Sequence, residues 1–209
     1  MDIIKKLAQE LAIKEEQAKA AVQLIDEGNT IPFIARYRKE MTGALNDETL
    51  RNLHERLLYL RNLEEKKEQV INAITDQGKM TEDLKKKILS AETLVAVDDL
   101  YRPYRPKKQT RATKAKEKGL EPLANILLLQ KTTKSMEEEA AAFVNAEKGV
   151  ANAKEAIAGA KDIIAEMIAD MADYRKSIRN CTMKQGSLVV KAKDEKAESV
   201  YEMYYDFRE

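Results

Sequence analysis

The stretch NDETLRNLHERLLYLRNLEEKKEQVINAITDQG, residues 46–78, predicts the element around which the chain is organised. Asn46 or Asp47 is a good N-cap, and Gly78 ends the pattern after about 30 residues, so a helix of about 45 Å is expected. Its apolar seam is formed by Leu50, Leu53, Leu57 and Leu60, and continues with a shifted phase through Leu63, Val70, Ile71 and Ile74. A helix this long needs a long partner to cover its apolar side.

The residues before this stretch also show helical periodicity. Two short helices are expected before Gly28, followed by a third that Thr30 caps and in which Pro32 occupies the first turn. The order of a helix, a glycine turn and a short basic helix is typical of a helix-turn-helix motif, although many helical proteins share this order without binding DNA. Phe33 and Tyr37 indicate that this third helix is largely buried.

Further helices are predicted at about 82–91, 120–130, 136–145 and 152–179, and residues 94–100 continue as an apolar stretch into a basic segment. The small residues 158–160 would allow close helix approach, and alternation after Gly186 predicts a strand at 187–192. The fold class is therefore all-α, a multi-helix bundle with a helix-turn-helix-like N-terminus, one long helix and a short β segment near the C-terminus. We divide it into residues 1–43, a helical scaffold at 44–181 and a β and aromatic segment at 182–209.

Composition narrows the class of protein. Hydrophobic residues make up 44% and charged residues 35% of the 209, with 7 Gly and no Trp, which is typical of a soluble, helix-rich protein. Neither a membrane-length apolar run nor a signal-peptide core is present, so we expect a cytoplasmic protein without a membrane partner. The single cysteine, Cys181, excludes an internal disulfide.

The segment YRPYRPKKQTRATKAKEK, residues 101–118, holds eight basic residues and one acid, although the whole chain has a net charge of only +1. Pro103 and Pro106 indicate an extended, stiff loop. The candidates for phosphate contact are Arg102, Arg105, Lys107, Lys108, Arg111 and Lys114. Tyr101 and Tyr104 could stack on bases or pack against helix ends. Alternatively, the cations pair with acids such as Asp98, Asp99 and the run 137–139.

A second candidate set is Arg36, Arg38 and Lys39, which a recognition helix would present to a groove. His54 and Cys181 stand alone, whereas a zinc or iron site needs about three or four convergent ligands. We therefore expect no metal, no cofactor and no catalytic residues, and we predict that the chain is not an enzyme.

Three long motifs occur in an order that resembles the N-terminal region of the bacterial Tex family of transcription accessory factors. They are IPFIARYRKEMTG (31–43), LNDETLRNLHERLLYLRNLEEKKE (45–68) and LYRPYRPKKQTRATKAKEKGLEPLA (100–124), and the likeness continues through FVNAEKGVANAKEAIAGAKDIIAE (143–166) and GSLVV (186–190). The resemblance implies a chain truncated before a YqgF domain, helix-hairpin-helix motifs and a C-terminal OB-fold RNA-binding domain.

Two functions are compatible with these residues. The preferred one is a noncatalytic module that binds RNA or DNA weakly and without sequence specificity. The alternative is a protein-docking scaffold that holds the other Tex domains or contacts the transcription machinery. The two functions can be distinguished by whether the cations at 101–118 are exposed to solvent or paired with acids.

Overall fold

A computed structural model describes residues 2–196 and 198–209, and the chain divides into two compact units between Tyr101 and Arg102. The first unit contains α1 (Ile3–Glu10), α2 (Glu15–Asp26), α3 (Ile31–Tyr37), α4 (Asp47–Asp76), α5 (Glu82–Ser90) and α6 (Leu94–Tyr101). The second contains α7 (Arg111–Glu117), α8 (Glu121–Leu129), α9 (Met136–Ala141), α10 (Ala153–Asp170), α11 (Ala172–Gln185), β1 (Val189–Lys191) and β2 (Asp206–Arg208). Short 3₁₀ helices lie at Arg102–Tyr104 and Glu202–Tyr204. The all-α prediction is confirmed, while the predicted division at 43/44 and 181/182 stays a prediction.

The long helix α4 organises the first unit as predicted. It has 30 residues, and the Asn46 side chain caps it by accepting a hydrogen bond from the Thr49 amide at 2.7 Å. The predicted seam is buried against α1, α2 and α3, which contribute Leu7, Leu24 and Ile34. Helices α5 and α6 also contact α4, so several short helices cover it, and the expectation of one long partner is wrong.

One polar residue of α4 lies among these apolar positions. Lys67 is almost fully buried, and its Nζ donates hydrogen bonds to Glu64 Oε1 at 2.8 Å and to the Leu89 carbonyl at 2.9 Å. The ammonium group is satisfied by these two acceptors, and the second one fixes the C-terminal end of α5 against α4.

Helix α10 is the centre of the second unit and packs against α7, α8 and α9. Its buried residues include Ala156, Ala160 and Ile163, which contact Leu120 and Leu123. Gly159 allows the close approach, because a Cβ at this position would clash with Leu120 Cδ1 and lie 3.3 Å from Ala115 Cβ. The predicted role of the small residues is confirmed.

Several predicted boundaries in this unit are wrong. The helix expected at 152–179 breaks at Met171, which is extended at φ −71° and ψ 118°. Asp170, the last residue of α10, is buried, whereas no residue of α11 is buried. Tertiary packing therefore does not favour one continuous helix through Met171. Helix α9 ends at Ala141 rather than near 145, and a turn follows that is closed by a bridge between Asn145 and Val150.

The predicted C-terminal strand is confirmed as β1, although it covers only Val189–Lys191. It pairs antiparallel with β2, with Val190 opposite Phe207. Strand β2 was not predicted, because three residues are too short to show alternation. Part of the C-terminal aromatic segment therefore has a neighbour within the chain.

Candidate nucleic-acid interface

The basic segment is not the extended loop that its prolines indicate. Arg102–Tyr104 form a 3₁₀ helix, and Arg111–Glu117 form α7, so irregular structure is confined to 105–110. Pro103 fits a 3₁₀ turn because its fixed φ is close to the value such a turn needs. Thr110 caps α7: its hydroxyl accepts from the Thr113 amide at 3.0 Å, while Thr113 Oγ1 accepts from the Thr110 amide at 2.6 Å.

Two cations of the segment are held by acids of α10. Arg102 Nε donates to Asp170 Oδ1 at 2.8 Å, and Lys107 Nζ donates both to Asp170 and to Glu166 Oε1, the latter at 2.9 Å. The Asp170 side chain is only 10% exposed. We call Arg102, Lys107, Glu166 and Asp170 the clamp, because together they fix the start of the basic segment to the end of α10.

The charges of the clamp are mutually stabilised. Burial would raise the pKa of the Asp170 carboxyl, but hydrogen bonds from Lys107 and Arg102 outweigh it and hold that pKa below its usual value. Burial would also raise the pKa of the Glu166 carboxyl, but hydrogen bonds from Lys107 and Thr110 hold that pKa below its usual value. For Lys107, burial would lower the pKa, yet the hydrogen bonds to Asp170 and Glu166 raise it above its usual value. All three groups are therefore held in their charged forms.

The remaining predicted cations differ in how open they are. Lys108 and Lys114 have no ion-pair partner within 2–196 and 198–209, and the Arg111 side chain is 87% exposed with its Nε 3.6 Å from Asp162 Oδ1. Arg111 and Lys114 also line a shallow groove of about 270 Å³ between α7 and α10. We call Lys108, Arg111 and Lys114 the open face. Arg105 is exposed as well, while Tyr101 and Tyr104 are both half-buried.

The second predicted set lies at the end of α3 and in the turn after it, and Arg36, Arg38 and Lys39 are all exposed. The expectation that α3 is largely buried is wrong, because Phe33 is 36% and Tyr37 61% exposed. Ile34 is the buried residue of this helix, in the core that α1, α2 and α4 share. A helix of seven residues presents one narrow face to the core, and the two rings lie outside it.

The two isolated candidates, His54 and Cys181, lie in different units. Cys181 is exposed, and His54 is half-buried on α4. In the part of the chain that the structure describes, no group of three or more His, Cys, Asp or Glu side chains is placed to hold a metal ion. Nor is any described helix both long enough and apolar enough to cross a bilayer.

The structure thus defines a mainly helical protein of two units with one strongly basic segment. A family model described as Tex-like protein N-terminal domain matches residues 1–75, and another described as Tex central region-like matches residues 131–209. The chain belongs to the Tex-like family of transcription accessory proteins.

Individual relatives agree with this assignment. Protein YhgF of Escherichia coli is 45% identical over 206 residues, which are 97% of this chain and 26% of the relative. Transcriptional accessory protein Tex of Neisseria gonorrhoeae is 42% identical over 212 residues, covering 100% of this chain and 28% of the relative. The human S1 RNA-binding domain-containing protein 1 is 32% identical over 186 residues, which are 88% of this chain and 18% of the relative. The chain therefore spans about a quarter of the length of the two bacterial relatives.

Proposed function

We propose that this chain is a noncatalytic, nucleic-acid-associated module of a cytoplasmic, Tex-like transcription accessory protein, and that it contacts phosphates through the open face. The observation that carries the proposal is the exposure of Lys108, Arg111 and Lys114, three clustered cations of which two have no carboxylate partner among the described residues. Two relatives have transcription or RNA binding in their names, which supports the same ligand class.

The chemistry of the open face fits weak and sequence-independent binding. Cations on a surface gain affinity by releasing counterions from the phosphate backbone, and such contacts read no bases. Arg102 and Lys107, both predicted as phosphate ligands, are less suited to this role because a phosphate would have to displace the carboxylates of Asp170 and Glu166.

The test is a binding titration of single- and double-stranded RNA and DNA at several salt concentrations. Replacing Lys108, Arg111 and Lys114 with alanine should reduce the slope of log K against log salt by about 2 to 2.7, since each lost phosphate contact accounts for about 0.7 to 0.9. The matched control replaces the exposed lysines Lys79, Lys85 and Lys86 of the first unit, and it should leave the slope nearly unchanged.

An unchanged slope in the open-face variant, with circular dichroism showing an intact fold, would favour the second candidate function. That candidate is a docking scaffold for other domains of the full-length protein. The observation that favours it is an apolar groove of about 380 Å³ between the end of α10 and α11, to which Ile168, Tyr174 and Ile178 contribute.

A further inference from the structure

Helix α3 and the two residues after it present two aromatic rings and three cations to solvent. The Phe33 and Tyr37 ring centroids lie 5.3 Å apart with their planes tilted by 46°, and the Arg38 guanidinium lies over the Phe33 ring at 5.1 Å from its centroid. Arg38 therefore covers part of Phe33, while Tyr37 is the more exposed ring. Core packing does not account for the position of Tyr37, because Ile31, Ile34 and Ala35 make the core contacts of this helix.

We infer that Tyr37 is a stacking platform for one unpaired nucleobase, with Phe33 supporting its ring and Arg36, Arg38 and Lys39 contacting the phosphates on either side of that base. The inference rests on the proposed function, because it takes a single-stranded nucleic acid as the ligand. It adds to that function a second contact with the nucleic acid, in the first unit, and a preference for unpaired bases.

The chain that follows α3 holds this platform in place. The Thr42 side chain is fully buried, and its Oγ1 donates to the Arg38 carbonyl at 3.2 Å. Gln17 Nε2 in turn donates to the carbonyls of Thr42 and Gly43, at 3.2 and 2.9 Å. Gly43 has a φ of +60°, and a Cβ there would lie 2.7 Å from Gln17 Nε2. A platform that is already fixed loses little conformational entropy when it binds.

The charges around the rings match a nucleic-acid strand. None of Arg36, Arg38 and Lys39 has an ion-pair partner among the described residues, and Glu40 is the acid nearest to them in sequence. Aromatic platforms flanked by cations bind single strands because every base has a π face and every nucleotide carries a phosphate. In a duplex, neighbouring bases already cover those faces, so stacking on Tyr37 selects an unpaired base.

The experiment uses the absence of tryptophan from the chain. A Tyr37→Trp variant of the whole chain carries a single tryptophan, which lies at the platform. The tryptophan emission is followed together with the anisotropy of a labelled oligouridine RNA of about 12 nucleotides. An abasic strand of the same length and charge, a blunt RNA duplex and the corresponding single-stranded DNA complete the set of probes. We expect quenching by the single strands with bases, and binding without quenching by the abasic strand and the duplex.

Affinity supplies the second measurement. Tyr37→Ala should weaken binding of the RNA by about 5- to 30-fold, and Tyr37→Phe should preserve it, because stacking needs the ring and not the hydroxyl. The matched control is Tyr174→Ala, which removes a ring that is 49% exposed on α11 and should leave affinity unchanged.

The outcomes separate the two proposals. Binding without quenching, together with an unchanged affinity of Tyr37→Ala, would overturn the stacking contact and leave the proposed function standing. Equal quenching by duplex and single strand would overturn the preference for unpaired bases. Failure of every strand to bind would overturn both proposals and leave a protein partner as the occupant of the α3 surface.

Discussion

Asp170→Asn tests the clamp, and we expect it to change stability and binding in opposite directions. The carboxylate of Asp170 accepts hydrogen bonds from Arg102 and Lys107, and it ends α10. The substitution keeps the shape of the side chain but removes its charge. The second unit should become less stable, while Arg102 is released to contact phosphates.

The magnitude follows from the exposure of the groups involved. Breaking a fully buried ion pair costs about 3–5 kcal/mol, and breaking an exposed one about 0–1 kcal/mol. Asp170 is 10% exposed, but Arg102 and Lys107 are 46% and 28% exposed, and Lys107 keeps Glu166. A negative charge at a helix C-terminus is itself unfavourable by about 0.3–1 kcal/mol, which the substitution recovers. We therefore expect the free energy of unfolding to fall by about 1–2 kcal/mol.

Native-state hydrogen exchange on peptides from 102–170 measures this loss, because two units can unfold separately and a single optical transition would mix them. Asp162→Asn is the matched control on the same helix. Its partner Arg111 is 87% exposed at 3.6 Å, so less than about 0.5 kcal/mol should be lost. In the salt titration, Asp170→Asn should steepen the slope by about 1. Equal stability of the two variants would refute the clamp, and an unchanged slope would refute the release of Arg102.

Two further predictions concern the same unit. The pKa values of Asp170 and Glu166 are lowered from 3.8 and 4.5, so their contribution to stability is present above those values and is lost as pH falls below them. The pKa of Lys107 is raised from 10.5, so its contribution to stability is present below that value and is lost as pH rises above it. Urea midpoints of the second unit, followed by hydrogen exchange on peptides from 102–170, should thus be flat from about pH 5 to about pH 10, and Asp170→Asn should flatten the acid limb. Gly159→Ala should destabilise the same unit by up to about 2 kcal/mol in the same measurement, because overpacking against Leu120 outweighs about 1 kcal/mol of helix propensity, and a gain in stability would contradict the close approach.

The parts of the fold that could be predicted from the sequence are those set by local pattern. Asn46 and Gly78 bracket α4 closely, because a cap and a stop act within one helical turn. The close approach at Gly159 was also predictable, since a run of small side chains leaves room for a neighbouring helix.

Long-range partners were not predictable, and they decide the character of the site. Asp170 lies 68 residues from Arg102, and nothing in its neighbourhood marks it as the acid that neutralises two cations of the basic segment. Periodicity likewise shows that Phe33 and Tyr37 share a face, but not whether that face is covered. The burial of Lys67 was missed because a lysine at a seam position is compatible with burial only where a group such as the Leu89 carbonyl accepts a hydrogen bond from its ammonium group.

The clamp changes what the charge of the basic segment means for binding. By count, the segment offers eight cations, yet the number that a phosphate strand can use is set by which of them are already neutralised. Opening the clamp would give the strand Arg102 and Lys107, but it would also expose the carboxylates of Asp170 and Glu166 to the phosphates, and like charges repel. The clamp therefore stays closed in the complex we propose, and the part of the salt slope that belongs to this segment reports mainly on Lys108, Arg111 and Lys114.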